Sequence, residues 1–291
     1  MKKVFLAISC LGMLAVAQNA HAQMITTAQT MPAAGTGFYV DVHGGYNLPM
    51  ATQNVGYFGY YTYGQGIMNY EYNPSGADRV DDVLLSLGKG ANFGVNLGYM
   101  FTKNLGAELG VNYLMGAEYT ASQKGSGNDV INQTLSAKML QISPTVVLRG
   151  NYSQLNPYAK FGVLIGAGSK VTYEEDERYG SSTYYTKQEL EGGTPVGFTG
   201  ALGLDYAINS QFSVFGELKA NSLTYSPEKG NVVVANYNGE DDLQYWDVAD
   251  RQTVFSDDFE LNSDPDQPTQ ASRLALPFSS IGLNVGVRVK F

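Results

Sequence analysis

The sequence is poor in the residues that cross-link a chain or catalyse reactions. Its 291 residues include one cysteine, two histidines and one tryptophan, and only 15% of them are charged. Because Cys10 lies in an apolar N-terminal stretch, we expect no disulfide, thiol nucleophile or cysteine-ligated metal in the rest of the chain. The formal net charge of −9 argues against a nucleic-acid partner, which requires a basic surface.

The first 22 residues have the features of a secretory signal peptide. Two lysines precede the apolar run Val4–Ala17, and an A-x-A motif follows at Ala20–Ala22. Cleavage after this motif would leave Gln23 as the first residue of a chain without cysteine and with a net charge of −11 (−9 − 2). No later segment has 18 uninterrupted apolar residues, so no membrane-spanning helix is predicted. Residues 23–36 are small and polar and are predicted to be a periplasmic lead-in.

The last thirteen residues, Ser279–Phe291, alternate between apolar and polar side chains. A period of two predicts a β-strand with one apolar and one polar face. Strands of soluble proteins usually have about 5–6 residues, whereas a tilted strand that crosses a bilayer needs about 9–11. The apolar positions are Ile281, Leu283, Val285, Val287, Val289 and Phe291.

The same alternation recurs in seven segments upstream, and the connections between them are alternately long and short. This arrangement predicts an all-β fold over residues 37–291: an eight-stranded antiparallel transmembrane β-barrel with four long extracellular loops and three short periplasmic turns. Tyr46, Tyr99, Tyr113 and Tyr206 are predicted near strand ends, where an aromatic girdle would lie. The first seven predicted strands are Gly37–Leu48, Asn92–Phe101, Leu105–Tyr113, about Lys138–Arg149, Asn156–Ala167, Val196–Tyr206 and Phe212–Asn221.

A soluble, lipocalin-like barrel is the alternative fold for eight alternating strands. Its interior would have to be the apolar face. The opposite face, which would then meet water, is small, glycine-rich and charged. We therefore favour the transmembrane barrel, in which this second face lines the lumen.

Four motifs add a family resemblance to this pattern. They are the A-H-A signal site, N-P-Y-A-K-F-G-V at 156–163, V-F-G-E-L-K at 214–219 and the terminal G-V-R-V-K-F at 286–291. Together with the eight-strand plan they resemble the OmpA/OmpX-type small outer-membrane β-barrel superfamily. The resemblance implies a Gram-negative outer membrane, periplasmic N- and C-termini, contact with outer-membrane lipid and lipopolysaccharide, and a final Phe291 that the barrel assembly machinery reads.

Eight charged residues fall on the face predicted to line the lumen. An eight-stranded barrel is only wide enough for side chains to fill its interior, and buried charges must be paired. The residues could form an ion path, or a structural salt-bridge cluster that plugs the lumen, and we favour the plug. They are Asp41, Glu108, Asp205, Glu217, Arg149, Lys160, Lys219 and Arg288.

His43 is the only histidine after the signal peptide, and it is predicted to face the lumen about halfway up the first strand. Lipid A-modifying barrels resemble this fold and use histidine, but here no sequence pattern marks a nucleophile or an orienting partner. We therefore predict a structural histidine and no enzyme activity. No catalytic residue, cofactor or metal ligand is predicted.

The long connections contain the least generic sequence. Six tyrosines lie between Tyr57 and Tyr72, either in a hairpin that binds a partner, in a self-packed cap, or in two further spanning strands. Glu240–Asp266 has ten acidic residues and is predicted to be a solvated loop without EF-hand spacing. The predicted function is a scaffold that acts in envelope integrity, adhesion or partner binding through these loops. The alternative is a small passive channel or transporter for small or hydrophobic solutes.

Overall fold

A computed structural model describes residues 35–55, 67–152, 154–258 and 264–291. The predicted signal peptide and nearly all of the predicted lead-in lie outside these ranges. One α-helix, α1 (Val248–Arg251), and one 3-10 helix, Leu243–Tyr245, occur in the described residues, and no described helix is long and apolar enough to cross a membrane. The strands of the described residues are β1 (Gly37–Pro49), β2 (Met68–Glu71), β3 (Arg79–Asp82), β4 (Gly90–Met100), β5 (Leu105–Gly116), β6 (Tyr119–Lys124), β7 (Val130–Arg149), β8 (Leu155–Tyr179), β9 (Ser182–Glu191), β10 (Val196–Ala207), β11 (Phe212–Ser222), β12 (Thr224–Tyr225), β13 (Lys229–Tyr237), β14 (Glu240–Asp241), β15 (Gln252–Ser256), β16 (Thr269–Ser272), β17 (Leu276–Pro277) and β18 (Ser280–Lys290).

Eight of these strands form a closed antiparallel barrel, which confirms the predicted fold class. The order around the barrel is β1, β4, β5, β7, β8, β10, β11 and β18. The last strand pairs with the first from Tyr39 opposite Lys290 to Pro49 opposite Ser280, so no edge is left open. We call the end with the three tight turns the short-turn end and the opposite end the long-loop end.

The outward face of the barrel strands is apolar and exposed. Val42, Phe161 and Leu202 are each more than half exposed. In a water-soluble protein, large apolar side chains such as these are normally buried in the interior. Aromatic contacts mark both margins of this belt: Phe38 and Tyr99 have ring centroids 4.6 Å apart at the short-turn end, and Phe93 and Tyr113 lie 5.7 Å apart towards the long-loop end. This polarity excludes the lipocalin-like alternative and fits lipid around the barrel.

Two barrel strands continue well beyond their predicted bounds. Strand β7 begins eight residues earlier than Lys138, and β8 continues twelve residues past Ala167. The acidic run Glu174–Glu177, which the predicted strand bounds Ala167 and Val196 leave in a long connection, is therefore part of a strand. The prediction was wrong here because the inward positions of β8 include Glu175 and Glu177, which interrupt the apolar period that marks a strand.

The other connections also form strands, which corrects the prediction of one long loop over residues 222–278. Beyond the barrel the strand order is β3-β2-β6-β7-β8-β9-β13-β15-β16. Asn238 and Gly239 have φ of 51° and 85°, the left-handed values that a tight two-residue turn between β13 and β14 requires. Strands β2 and β3 join this sheet through β6 and add nothing to the barrel. The predicted hairpin over Tyr57–Tyr72 lies mostly outside the described residues.

An apolar core fills the interior at the long-loop end. Leu114, Met139 and Leu164 point inward from barrel strands, and Leu85 and Phe278 come from the connections. All five are completely buried. The connections are therefore packed onto the barrel by the same apolar burial that stabilises soluble domains.

The lipid-facing assignment predicts a large penalty for a charge on the belt. Val285 lies near the middle of β18 on the outward face and is 54% exposed. We expect Val285→Arg to lower the free energy of unfolding in lipid vesicles by about 2–4 kcal/mol, because a bilayer solvates arginine poorly. Urea titration with the heat-dependent gel shift as readout measures the change.

Val233→Arg is the matched control, because Val233 is 40% exposed but lies on β13 outside the barrel. We expect it to change the same free energy by less than about 0.5 kcal/mol. Equal effects of the two substitutions would contradict the assignment of the belt to lipid.

Candidate functional site

Charged side chains from seven barrel strands meet inside the lumen near the short-turn end. We call this group the lumen network. It includes seven of the eight residues predicted from the sequence, and it adds Lys290. Its members are Asp41, Glu108, Arg149, Lys160, Asp205, Glu217, Arg288 and Lys290.

The pair formed by Arg288 and Asp41 is the centre of the network. The two residues lie directly opposite each other on β18 and β1, where the barrel closes. Arg288 donates from Nε to Asp41 Oδ1 at 2.6 Å and from Nη2 to Oδ2 at 2.7 Å. Both are almost completely buried, at 1% and 0% exposed. The planar fork of arginine matches a carboxylate in this bidentate geometry, and lysine could not reproduce it.

Three aromatic rings surround the Arg288 guanidinium. Its Cζ lies 4.4 Å from the ring centroid of Tyr39 and 5.4 Å from those of Tyr158 and Phe215. A cation over an aromatic face is attracted by the ring quadrupole, most strongly where water is excluded. The rings therefore hold the guanidinium in place in addition to Asp41.

Each of these rings lies across from a glycine of the neighbouring strand. A Cβ atom at the glycine would approach the ring to 2.0–2.6 Å, closer than real Cβ contacts. The glycines thus provide the space that lets a ring lie flat over the adjacent backbone. The pairs are Tyr39 with Gly98, Tyr158 with Gly203, and Phe215 with Gly286.

Lys160 connects the pair to two further carboxylates. Its Nζ lies 2.8 Å from Glu108 Oε1, 3.3 Å from Glu217 Oε2 and 4.0 Å from Asp41 Oδ2. The tyrosines take part through their hydroxyls: Tyr39 donates to Glu108 at 2.8 Å, and Tyr158 donates to Glu217 at 3.0 Å. The carboxylates therefore have both a charge partner and a hydrogen-bond donor, which a buried ion requires.

A second acidic centre lies at Asp205. Arg149 donates to Asp205 Oδ2 in a buried ion pair, and Lys290 and Arg288 approach the same oxygen to 3.6 and 3.9 Å. The network thus contains four carboxylates and four cationic side chains, and its formal charge is zero. Lys219, the eighth predicted member, is half-buried on β11 and makes no ion pair with another described residue, but the charges of Glu217, Lys160 and Glu108 act on it, so it lies beside the network.

His43 lies in a neutral polar layer beside this network. Its Nε2 is 3.3 Å from Asn112 Oδ1, and Asn112 donates in turn to Gln141 Oε1 at 3.1 Å. Its Nδ1 has no partner among the described residues. The imidazole thus contacts an amide and not a nucleophile, and no three His, Cys, Asp or Glu side chains in the described ranges are grouped to hold a metal.

The sequence predicts only part of the role of the three aromatic rings around Arg288. The period of two places Tyr39 and Tyr158 on the inward face. Their role depends on which glycine lies opposite each ring, and that register joins strands far apart in sequence. Lys290 has the inward parity of Arg288, but the sequence does not show that its side chain reaches Asp205.

Comparison with known proteins identifies the family. The chain matches the outer membrane protein beta-barrel domain family over residues 6–247 and belongs to that family. Its place is therefore the outer membrane of a bacterium. Among solved structures, the chain is similar to the outer membrane protein OprG from Pseudomonas aeruginosa, with 14% identity, 89% of this chain and 97% of that chain covered, and a TM-score of 0.43. No curated protein matches the chain.

The buried Arg288–Asp41 pair predicts strong coupling in barrel stability. We expect Asp41→Asn to lower the free energy of unfolding by about 3–5 kcal/mol, because it leaves Arg288 without its bidentate partner. Arg288→Gln should have a similar effect, and the double variant should lose clearly less than the sum of the two. Urea unfolding of the four proteins in vesicles gives the coupling energy.

The exposed pair of Arg79 with Asp81 is the control, since its N–O distance is also short, at 2.8 Å. Arg79→Gln should change stability by about 0–1 kcal/mol. Simple additivity of Asp41→Asn and Arg288→Gln would show that the pair does not act as a unit.

Proposed function

We propose that this protein is a non-conducting barrel scaffold that presents its long-loop end at the cell surface. In this role it contributes to envelope integrity, adhesion or the binding of an extracellular partner. The observation that carries the proposal is the filled interior of the barrel. The lumen network lies at the short-turn end, and the apolar core lies at the long-loop end.

Both the lumen network and the apolar core oppose the passage of ions. An eight-stranded barrel leaves little space beyond its own side chains, and an ion that entered the network would have to break compensated pairs such as Arg288–Asp41. An ion that passed this level would then meet the apolar core, where Leu85, Leu114 and Leu164 offer no polar group to replace its water. The lumen network thus supports a plug better than an ion path.

A passive channel for small or hydrophobic solutes is the alternative. It requires that both the network and the apolar core rearrange. Steady, reproducible currents from the purified barrel in planar bilayers, or sugar uptake in liposome swelling, would place this alternative first.

The long-loop end offers surfaces that suit contact. The Tyr184 ring contacts Tyr179 edge-on and Tyr237 at a tilt, with centroid distances of 6.4 and 4.8 Å, and Tyr184 and Tyr237 are about 40% exposed. Tyrosine provides a large, rigid contact area at low entropic cost, which is why binding surfaces are rich in it. The acidic segment that follows Tyr237 is largely exposed and adds negative charge beside these rings.

The remaining partners follow from the lipid-facing belt and the last strand. Outer-membrane lipid and lipopolysaccharide would surround the belt. The barrel assembly machinery would act on β18 and Phe291, whose side chain is 78% exposed. In this arrangement both chain termini are periplasmic. We also infer a non-enzymatic role, since the His43 imidazole contacts the Asn112 amide.

Surface contact can be tested in cells that lack the protein and are complemented with variants. We expect Tyr184→Ser combined with Tyr237→Ser to reduce adhesion to host cells or to other bacteria without changing the heat-dependent gel shift, because the substitutions remove contact area but no buried group. Survival in detergent reports envelope integrity in the same strains.

Tyr152→Ser is the matched control, because this exposed tyrosine lies at the short-turn end. It should leave adhesion unchanged. If the double tyrosine variant behaves like wild type in adhesion and detergent survival while Asp41→Asn cells do not, the surface-contact role is wrong.

A further inference from the structure

Four buried polar side chains lie together where β7 and β8 extend beyond the barrel. Glu175 and Glu177 of β8 are 1% and 5% exposed, and Gln133 of β7 and Gln123 of β6 are 2% and 1% exposed. Glu175 lies opposite Gln133 in the register, and Ile131 separates Glu177 from Gln123, so all four side chains share one face of three adjacent strands.

This face lies outside the membrane-spanning part of the barrel. Glu175 follows the first residue of β8, Leu155, by twenty positions, whereas a tilted strand crosses a bilayer in about 9–11 residues. The group is also separate from the lumen network, since the apolar core lies between them.

Gln133 points into the group of carboxylates. Its Nε2 donates to Glu175 Oε2 at 3.1 Å and to the Tyr173 hydroxyl at 2.9 Å, and Tyr173 donates to the same carboxylate. The Gln133 Oε1 atom has no hydrogen-bond partner, and neither polar atom of the Gln123 amide has one among the described residues. An unsatisfied buried polar group costs about 1–3 kcal/mol, and a bound cation would satisfy two of these three atoms, the amide oxygens of Gln123 and Gln133.

No positive charge faces the two carboxylates. The cationic side chains of the surrounding strands lie on the opposite face: Lys187 pairs with Glu174 at 3.1 Å, and Lys124 and Arg178 are exposed. On β9 the residues opposite Glu177, Glu175 and Tyr173 are Tyr184, Thr186 and Gln188, none of which is cationic. Burial, and then the neighbouring Glu175, hold the pKa of Glu177 well above its usual range.

We propose that Glu175, Glu177, Gln133 and Gln123 bind a calcium ion between β6, β7 and β8. Calcium takes six to eight hard oxygen ligands in a flexible geometry, and carboxylates and amide carbonyls are its usual protein ligands. Two carboxylates balance its charge, and the amide oxygens of Gln123 and Gln133 complete the protein ligands. The Gln133 amide, which now donates from Nε2 to Glu175, would turn over so that its oxygen faces the ion. Magnesium fits less well, because it demands a rigid octahedron and retains several waters. The ion would cross-link β6, β7 and β8, three strands of the sheet that also carries the exposed Tyr184 and Tyr237.

Terbium luminescence tests the site, because terbium replaces calcium and is excited through a nearby tyrosine such as Tyr173. The purified, folded barrel is first stripped of metal with a chelator. We expect saturable luminescence that calcium displaces, with a Kd on the order of 10⁻⁴–10⁻³ M. Calcium should also raise the urea midpoint of unfolding. Glu175→Gln combined with Glu177→Gln should abolish both effects.

The matched control is Glu174→Gln combined with Asp176→Asn, which removes the same charge from the other face of the same strand. This control should retain the luminescence and the calcium-dependent midpoint. Gln123→Leu is a second variant: it should weaken calcium binding while stabilising the calcium-free barrel, because it removes two unsatisfied polar atoms.

Two results would overturn the proposal. Equal losses in the Glu175/Glu177 and Glu174/Asp176 variants would mean that calcium binds the general acidic surface. A wild-type midpoint that does not respond to calcium, with a Glu175/Glu177 variant more stable than wild type, would mean that the two carboxyl groups share a proton and hold no metal.

Discussion

The ion pair between Arg288 and Asp41 is the interaction on which the interior of this barrel depends. It joins the last strand to the first, so the strand that closes the barrel also brings a charge into its centre. Burying that charge requires compensation, and the surrounding residues supply it: Asp41 accepts two hydrogen bonds, and three aromatic rings cover the guanidinium. The inward glycines opposite those rings follow from the same requirement, because a larger residue would displace the rings.

The interior of the barrel changes from polar to apolar where the strands leave the membrane. Within the lipid belt the outward positions are apolar and the inward positions are polar, so the interior must consist of paired charges and hydrogen-bonded amides. Beyond the belt, β7 and β8 place Leu135 and Val171 inside and Lys138 and Glu174 outside, as in a soluble protein. The apolar core therefore begins where the strands leave the membrane, and the two fillings together close the lumen.

Sequence reasoning succeeded where a single strand carries its own signal. The alternation of Ser279–Phe291 predicted β18, and the same period gave the eight barrel strands and the inward face of seven network residues. It failed where the outcome depends on neighbouring strands. The extension of β8 was missed because Glu175 and Glu177 occupy positions that are usually apolar. The match of Tyr39 with Gly98 depends on the register between strands. Lys219 has the inward parity of Glu217, but the sequence does not show that the Glu217 carboxylate contacts Lys160 and Tyr158 instead of pairing with it.

The central claim, a lumen closed at both levels, is tested most directly by the reactivity of a thiol placed inside it. The chain from Gln23 has no cysteine, and Ser143 is a small, buried lumen residue, so Ser143→Cys introduces one thiol with little change in volume. Ser181→Cys, in an exposed turn at the long-loop end, is the accessible reference. The folded barrel in vesicles is exposed to a polar, membrane-impermeant thiol reagent. A closed lumen predicts that Cys at 143 stays unmodified until the barrel is unfolded, while Cys at 181 reacts at once; equal reaction rates at the two positions would contradict the account.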